Sequence, residues 1–463
     1  MTLRDRFAPS AVRDLIDRIA RQSPARLAIF AFAGVIGFFT LLLMLPQATA
    51  SGHSAPGVTA LFTATSAVSV TGLTVVPTGI YWSTFGHVVL LIGIKVGGFG
   101  VMTLASILGL AVSRRIGLTQ KLITASETKT TRLGEVGSLI RVVIVTSTTL
   151  EIALALLLTP RFIALRENVG EALWHSLFYA VSAFNNAGFV PTADGLTAHQ
   201  SDWLLLLPII IGVFIGSLGF PVILNVLRTL RHTRKRRWSH FSLHTKLTLV
   251  TSSLLLLIGS TLFLLTEWSN PATIGGLSGP GKLLEGLMMG VMPRSGGLAT
   301  FDVSQSHETT WLITDALMFV GGGSASTAGG IKVTTLAVII LAIFAEARGD
   351  RDVEAYGRRI PPETLRLAVA VVFIGATTIL ITSLVLLQIS GSTLDRVLFE
   401  SISAFGTVGL STGLSAELPP AGQYVLAALM FVGRTGTMTV AAALAIRERR
   451  RVIRLPEERP IIG

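Results

Sequence analysis

The chain has 463 residues, of which 50% are hydrophobic and only 14% charged, with a formal net charge of +12. That is more apolar surface than a water-soluble domain can cover, so the composition points to lipid as the solvent. Cysteine is absent, which excludes disulfides, thiolate metal sites and cysteine nucleophiles.

A basic leading segment, residues 1–25, precedes the first apolar run at 27–45. Further runs at 88–112, 142–158, 204–227, 247–265, 367–389 and 424–446 approach or reach the roughly 18 to 25 residues that cross a bilayer core. The run at 312–344 is too long for one straight span and carries a glycine tract in its middle. Ala48-Thr49-Ala50 resembles a signal-peptidase site, but the run before it exceeds the roughly 7 to 15 apolar residues of a signal core, so the segment is retained as a span.

Thirty of the 38 lysines and arginines lie in residues 1–26, 114–141, 228–246, 348–366 and the tail from Arg447, whereas residues 46–83 have none. By the positive-inside rule the basic segments and both termini are cytoplasmic, and an even number of spans, eight, is required. The charge therefore reads as a topology signal beside anionic membrane lipid, with no nucleic acid as partner.

Self-similarity organises the rest. Ser66–Thr74 (S-A-V-S-V-T-G-L-T), Ser182–Val190 (S-A-F-N-N-A-G-F-V), Val291–Ala299 (V-M-P-R-S-G-G-L-A) and Ser403–Ser411 (S-A-F-G-T-V-G-L-S) align without gaps on Gly72, Gly188, Gly297 and Gly409. Those glycines are 116, 109 and 112 residues apart. A second signature follows each: G-G-F-G-V-M-T from Gly97, G-S-L-G-F-P-V from Gly216, G-G-G-S-A-S-T-A-G-G from Gly321 and G-R-T-G-T-M-T from Gly433. The expected fold is an all-α polytopic membrane protein of four pseudo-repeated helix–pore loop–helix units, at 26–115, 138–231, 244–346 and 364–446, followed by a cytoplasmic tail at 447–463. Eight transmembrane helices and four re-entrant half-helices would surround one pore. Segments such as 58–68 and 394–404 cover only about half a bilayer at ~1.5 Å per residue, and their irregular ends can sit at that depth only by lining a cavity or being buried in protein.

A dehydrated monovalent cation needs a cage of oxygens, which backbone carbonyls supply without a fixed charge; glycine permits the dihedrals that turn them inward. The candidate potassium (K+) ligands are Val70, Thr71 and Gly72; Asn186, Ala187 and Gly188; Ser295, Gly296 and Gly297; and Thr407, Val408 and Gly409. Thr407-Val408-Gly409 matches the start of the potassium-channel string T-V-G-Y-G. Few carboxylates lie near these loops, which disfavours divalent ions. The glycines of the second signature outside the third copy, such as Gly97, Gly98 and Gly216, read as close-packing positions.

Residues 321–330 cannot remain helical with so many glycines and hydroxyls, and they lack the Gly-Lys-Ser/Thr order of a nucleotide P-loop. They read as an intramembrane gate formed by Gly321, Gly322, Gly323, Ser324, Ser326, Thr327, Gly329 and Gly330, with Lys332 facing the pore or anchoring the loop. Arg434 aligns with Gly322 of the third copy, which places its guanidinium beside the tract. Lys95 and Glu151 read as snorkelling or paired across helices. His87 and His175 read as polar contacts near the outer ends rather than metal ligands.

These motifs resemble the Trk/Ktr/HKT superfamily, most closely its Ktr-type membrane subunit, across residues 27–446. The resemblance implies a potassium-selective filter with one loop per unit, a gating loop in the third unit and an arginine against it. In plant members a serine at the first filter glycine goes with sodium selectivity, so Gly72 favours potassium. It also implies a homodimer in a bacterial plasma membrane, resting on a separate cytoplasmic ring of nucleotide-binding regulatory subunits, with Na+ as an activating ion. This chain has no G-x-G-x-x-G unit, so it would bind no nucleotide itself. Two departures stand out: Gly296 where alanine is usual, which predicts a looser third quarter of the filter, and Lys95 where an uncharged polar residue is expected. A Na+- or H+-coupled symporter remains the alternative to a gated pore. An intramembrane enzyme lacks paired acids or a metal-ligand spacing within any span.

Overall fold

The structure, a computed structural model, describes residues 24–100, 136–165, 168–232 and 238–446. Residues 1–23, the connection at 101–135 and the tail at 447–463 lie outside the described residues, and with them the expected cytoplasmic placement of both termini. Within the described residues the chain is helical apart from short turns and one hairpin, β1 (Glu354–Ala355) with β2 (Arg358–Arg359).

Helices α1 (Pro24–Leu43), α2 (Gly57–Ser69) and α3 (Thr84–Gly98) come first. They are followed by α4 (Val136–Leu165), α5 (Val169–Phe184), α6 (Trp203–Leu218) and α7 (Phe220–His232). Next are α8 (Leu243–Glu267), α9 (Gly279–Val291), α10 (Glu308–Phe319) and α11 (Val333–Arg348). The last are α12 (Pro362–Ser390), α13 (Leu394–Gly406) and α14 (Pro420–Ile446).

Local chemistry marks these boundaries. Asp202, Ser242 and Ser278 cap α6, α8 and α9 by accepting from first-turn N–H groups. Asp202 also receives Arg161 Nε of α4 at 2.6 Å, joining two helix ends. Gly349 and Gly391 terminate α11 and α12 in the left-handed conformation that glycine adopts without strain.

Three described helical segments are long and apolar enough to cross a membrane alone: Arg141–Leu165, Leu243–Glu267 and Pro362–Ser390. Their outward faces carry Leu156, Leu265 and Phe373, each at least 66% exposed, a belt that only lipid solvates cheaply. Other apolar runs depart from the straight spans expected. The run at 204–227 turns by 100° between α6 and α7. The turn is at Gly219, with φ +93°, and Phe220 N–H donates to Ala325 O at 3.2 Å. The run at 312–344 divides into α10 and α11 around an irregular stretch. The run at 88–112 is seen as α3 only to Gly98, and its second half falls outside the described residues.

The short helices occupy the interior. Helix α2 packs against α1, α3 and α14; α5 against α4, α6 and α3; α9 against α8 and α6; and α13 against α12, α14 and α10. Each short helix thus touches a helix from the preceding stretch of chain, and α2 touches α14, which closes the arrangement. Apolar clusters cross the same seams: Phe178 and Phe189 pack with the α1–α3 core, and Phe62 and Leu73 with Phe399 and Leu410.

Candidate functional site

The C-termini of α2, α5, α9 and α13 run into four loops with one shared backbone pattern. Val70, Asn186, Ser295 and Thr407 have φ of 57°, 59°, 71° and 47°, and two residues later Gly72, Gly188, Gly297 and Gly409 have φ of 91°, 71°, 67° and 98°. Only Ala325 and Tyr356 share a positive φ among the other described non-glycine residues. Since such a conformation costs an L-residue on the order of 1 kcal/mol or more, its recurrence at one register means that the surroundings impose it.

The loops meet. A Cβ on Gly72 would lie 2.5 Å from Ala187 O and 2.9 Å from Gly188 Cα, and one on Gly188 would lie 3.2 Å from Gly297 Cα. A Cβ on Gly297 would collide with Val408 O, and one on Gly409 with Thr71 O. The four glycines therefore form a closed ring in chain order, with the carbonyls of Thr71, Ala187 and Val408 at the seams. All twelve filter residues expected from the sequence sit in this ring or the turns that enter it.

Serines six residues before the glycine brace three of the loops. Gly72 N–H donates to Ser66 Oγ at 3.0 Å, Gly409 N–H to Ser403 Oγ at 3.1 Å, and Ser182 Oγ donates to Phe189 O at 2.7 Å. The third loop has Val291 at that place, and Gly297 N–H turns to Met292 O at 3.3 Å. Its expected looseness at Gly296 is not found: a Cβ there would lie 2.6 Å from Met292 Sδ and 2.8 Å from Val213 Cγ1. Tight packing, rather than slack, accounts for glycine at 296.

Above the ring is a cavity of about 380 Å³ whose walls include Val75, Phe301, Asp302, Leu410 and Ser411. Two carboxylates of the short helices hold the chain where it leaves the ring. Glu400 accepts from Ser411 Oγ, Thr412 N–H and Ser415 Oγ, and Glu285 accepts from Thr300 Oγ1 at 2.5 Å.

The other end of the ring is crossed by the glycine tract. Gly329 is packed so closely on the Thr407 side chain that a Cβ would overlap it, and Gly330 faces Gly406. Gly321 N–H donates to Ile331 O at 2.8 Å, which pinches the tract into a loop between α10 and α11. Gly323 N–H reaches Ser217 O of α6 at 2.7 Å, and Thr327 Oγ1 is 2.8 Å from Asn186 Oδ1. Lys332 Nζ donates to Ala328 O at 2.8 Å and to Gly329 O at 3.3 Å. Arg434, 4% exposed on α14, donates to Thr327 O and, at 2.8 Å, to Gly97 O of α3.

The second-signature glycines sit where helices press on the short-helix ends. A Cβ on Gly97, Gly216 or Gly433 would overlap the carbonyl oxygen of Val68, Phe184 or Phe405. Each of those residues lies four before its ring glycine. In the third copy Gly321 instead abuts Gly329 O, because the tract has left the helix.

Sequence reasoning missed the bonds that tie loops together. Ser295 Oγ donates to Thr407 O at 2.6 Å and accepts from Gly329 N–H at 3.3 Å, joining two loops and the tract. Partners 112 and 34 residues apart leave no local pattern to find. His87 Nε2 contacts Thr78 O at 2.9 Å, and His175 is buried near Phe162. Among the described residues no group of three or more His, Asp or Glu could hold a metal ion, and the ring offers backbone oxygens instead.

Residues 30–452 match the family model described as TrkH, cation transport protein. The chain belongs to the TrkH family of cation transport proteins. It is 35% identical to the Ktr system potassium uptake protein B of Bacillus subtilis, over 97% of this chain and 99% of that protein. It is 34% identical to the protein of the same name from Vibrio alginolyticus, over 99% and 98% of the two chains. The potassium/sodium uptake protein NtpJ of Enterococcus hirae is 32% identical over 96% of this chain and 98% of its own length. In fold the chain is similar to the crystal structure of the potassium transporter TrkH from Vibrio parahaemolyticus, with a TM-score of 0.67 over 90% of this chain and 84% of that one at 16% identity. As a TrkH-family transporter it is a multi-pass helical protein of the cell membrane and not an enzyme.

Proposed function

We propose that the chain takes up K+ through a gated pore whose selectivity filter is the ring of four loops. The observation that carries this reading is the repeated φ pattern converging on Gly72, Gly188, Gly297 and Gly409. Carbonyl oxygens at the seams replace the hydration shell of a bare cation without a fixed counter-charge, which would hold the ion too tightly for conduction. The C-termini of α2, α5, α9 and α13 add the negative ends of four helix dipoles.

In this reading four helix–loop–helix units supply eight spans with both termini inside, and the bent and broken runs count as spans. The closed packing of α2 on α14 supports that count. The tract at residues 321–330 is the gate: it lies against Thr407 and Gly406, at the inner end of the filter, and Arg434 and Lys332 hold its carbonyls. The names of the relatives support a system of several components, here a homodimer of this chain with a separate nucleotide-binding regulatory subunit. The name of NtpJ, a potassium/sodium uptake protein, supports Na+ as a second transported cation, and Na+ as an activator rests on the family resemblance alone.

Coupled symport with Na+ or H+ is the less favoured reading. Carriers often use a buried acid for coupling, whereas Glu151 is engaged by Lys95 and Asn185, and Glu400 and Glu285 are engaged by the chain leaving the ring. Voltage-driven K+ flux into proteoliposomes without any opposing ion gradient separates the two. Flux set by voltage alone supports the pore; strict dependence on a co-ion gradient sinks it.

A further inference from the structure

Behind the second loop lies a polar chain that the filter itself does not use. Lys95 Nζ, on α3, is 2.5 Å from Glu151 Oε2 and 3.0 Å from Ser147 Oγ, both on α4. Glu151 Oε1 accepts from Asn185 Nδ2 at 2.7 Å. Asn185 is the residue after α5, and it immediately precedes Asn186, Ala187 and Gly188 of the ring. The Glu151 side chain is 4% exposed and that of Lys95 22%. A carboxylate this buried persists as an ion only if it is paired and hydrogen-bonded, and the contacts of Glu151 with Lys95 and Asn185 are of that kind.

The geometry leaves Asn185 little freedom. Its Nδ2 also donates to Val181 O at 2.8 Å, and its side chain abuts Gly98, where a Cβ would lie 2.7 Å from Asn185 Cγ. One residue earlier on α3, Gly97 packs on Val68 O and Val70 Cγ2 of the first loop and accepts Arg434 through its carbonyl. The C-terminal turn of α3 thus touches the first loop, the second loop and the guanidinium that holds the tract, and Lys95 belongs to that same turn.

We infer that the Lys95–Glu151 pair is a positioning device for the second filter loop: it fixes Asn185, and through Asn185 the backbone of residues 186–188, and so contributes to K+ over Na+ discrimination. The inference rests on the filter reading above. Lys95 and Glu151 do not touch the conducted ion; they act through the asparagine. The pair also explains the charge at residue 95 where an uncharged residue was expected. A lysine on α3 is admissible because α4 presents a carboxylate to it, and that carboxylate in turn has a second task.

The test is the reversal potential of the purified protein in planar bilayers under K+ on one side and Na+ on the other. In Lys95→Gln with Glu151→Gln, the two introduced amides bond each other and the one on α4 still accepts from Asn185, so the permeability ratio stays within about twofold of the parent. In Lys95→Met with Glu151→Leu, and separately in Asn185→Leu, the asparagine contact is lost and the ratio falls about tenfold while K+ current persists. An unaltered ratio in both apolar variants overturns the inference, as does a tenfold fall in the double-glutamine variant, which would give the charge itself the role. Gly188→Ser is measured alongside. If it shifts the ratio and the apolar variants do not, only the positioning role fails; if it too leaves the ratio unaltered, the filter reading fails with it.

Discussion

At the scale of single residues, the ring glycines carry the account. Gly72 and Gly409 combine positive φ with a Cβ position already taken by a neighbouring loop's carbonyl. Serine at either place must adopt a strained dihedral and push that carbonyl away, a cost of roughly 1 to 3 kcal/mol in the ion-selective geometry. We predict that Gly72→Ser and Gly409→Ser each lower the K+/Na+ permeability ratio by about tenfold, read as a shift of reversal potential toward zero under biionic conditions. Ser403 gives a milder counterpart. Removing its hydroxyl leaves the Gly409 N–H without its acceptor, and a buried unsatisfied donor costs about 1 to 3 kcal/mol. Ser403→Ala is therefore expected to reduce selectivity and thermal stability together, and unchanged values of both would remove the bracing role.

The residue scale is also where the sequence was most legible and where its limits are clearest. The register shared by Gly72, Gly188, Gly297 and Gly409 is visible in the letters because a positive φ and a close backbone approach both demand glycine. The alignment of Arg434 with Gly322 sets the guanidinium near the tract, and the structure finds it at Thr327 O and Gly97 O. Pairing across helices was one of the two readings open for Lys95 and Glu151, but the link on to Asn185 and the Ser295–Thr407 bond were invisible, since each joins distant residues on different elements and has no period to betray it.

At the scale of elements, the tract between α10 and α11 is held from several sides, by α6, the second and third loops, Lys332 and Arg434. Arg434 spans from α14 to the tract and to α3, so Arg434→Ala removes its bonds to Thr327 O and Gly97 O at once. Hydrogen bonds from a charged group contribute roughly 1.5 to 3 kcal/mol each. Losing this clamp is expected to raise basal K+ flux at least about tenfold without any activating ligand; deleting part of residues 321–330 is expected to act in the same direction. Flux measured in proteoliposomes at fixed voltage checks both, and parental flux in both variants would mean that the tract does not gate. The bend between α6 and α7 belongs here too. Apolar periodicity over residues 204–227 reads as one helix, because nothing in a single run reports that Ser324 and Ala325 will dock on Gly219. Gly219→Ala meets a φ of +93° and a Cβ contact of 2.5 Å with Ser324 O. It is expected to lower the thermal midpoint in detergent by the equivalent of roughly 1 to 3 kcal/mol, and an unmoved midpoint would show that the bend can relax.

At the scale of the whole molecule, four short helices converge while long apolar helices face outward. Helix class and membrane residence followed from composition, and the half-length helices from their lengths and the shared register. The straightness of the spans did not, because hydropathy reports burial in lipid and says nothing about where the backbone breaks within an apolar run. The absence of native cysteine makes the proposed topology testable directly. Ser54→Cys, on the exposed turn after α1, is expected to react with a membrane-impermeant maleimide from outside intact cells. Asp350→Cys, after α11, is expected to react only once the membrane is opened. Labelling with the opposite sidedness would invert or break the eight-span scheme.

The central claim is that main-chain oxygens of four loops replace the water around one alkali ion. Anomalous scattering from protein crystallised in Rb+ or Tl+ in place of K+ measures this most directly. The account predicts a peak on the axis enclosed by Gly72, Gly188, Gly297 and Gly409, within coordination distance of their loops' carbonyls and lost in Na+. An axis without any peak in Rb+ or Tl+, with the heavy ion bound elsewhere in the molecule, would contradict it.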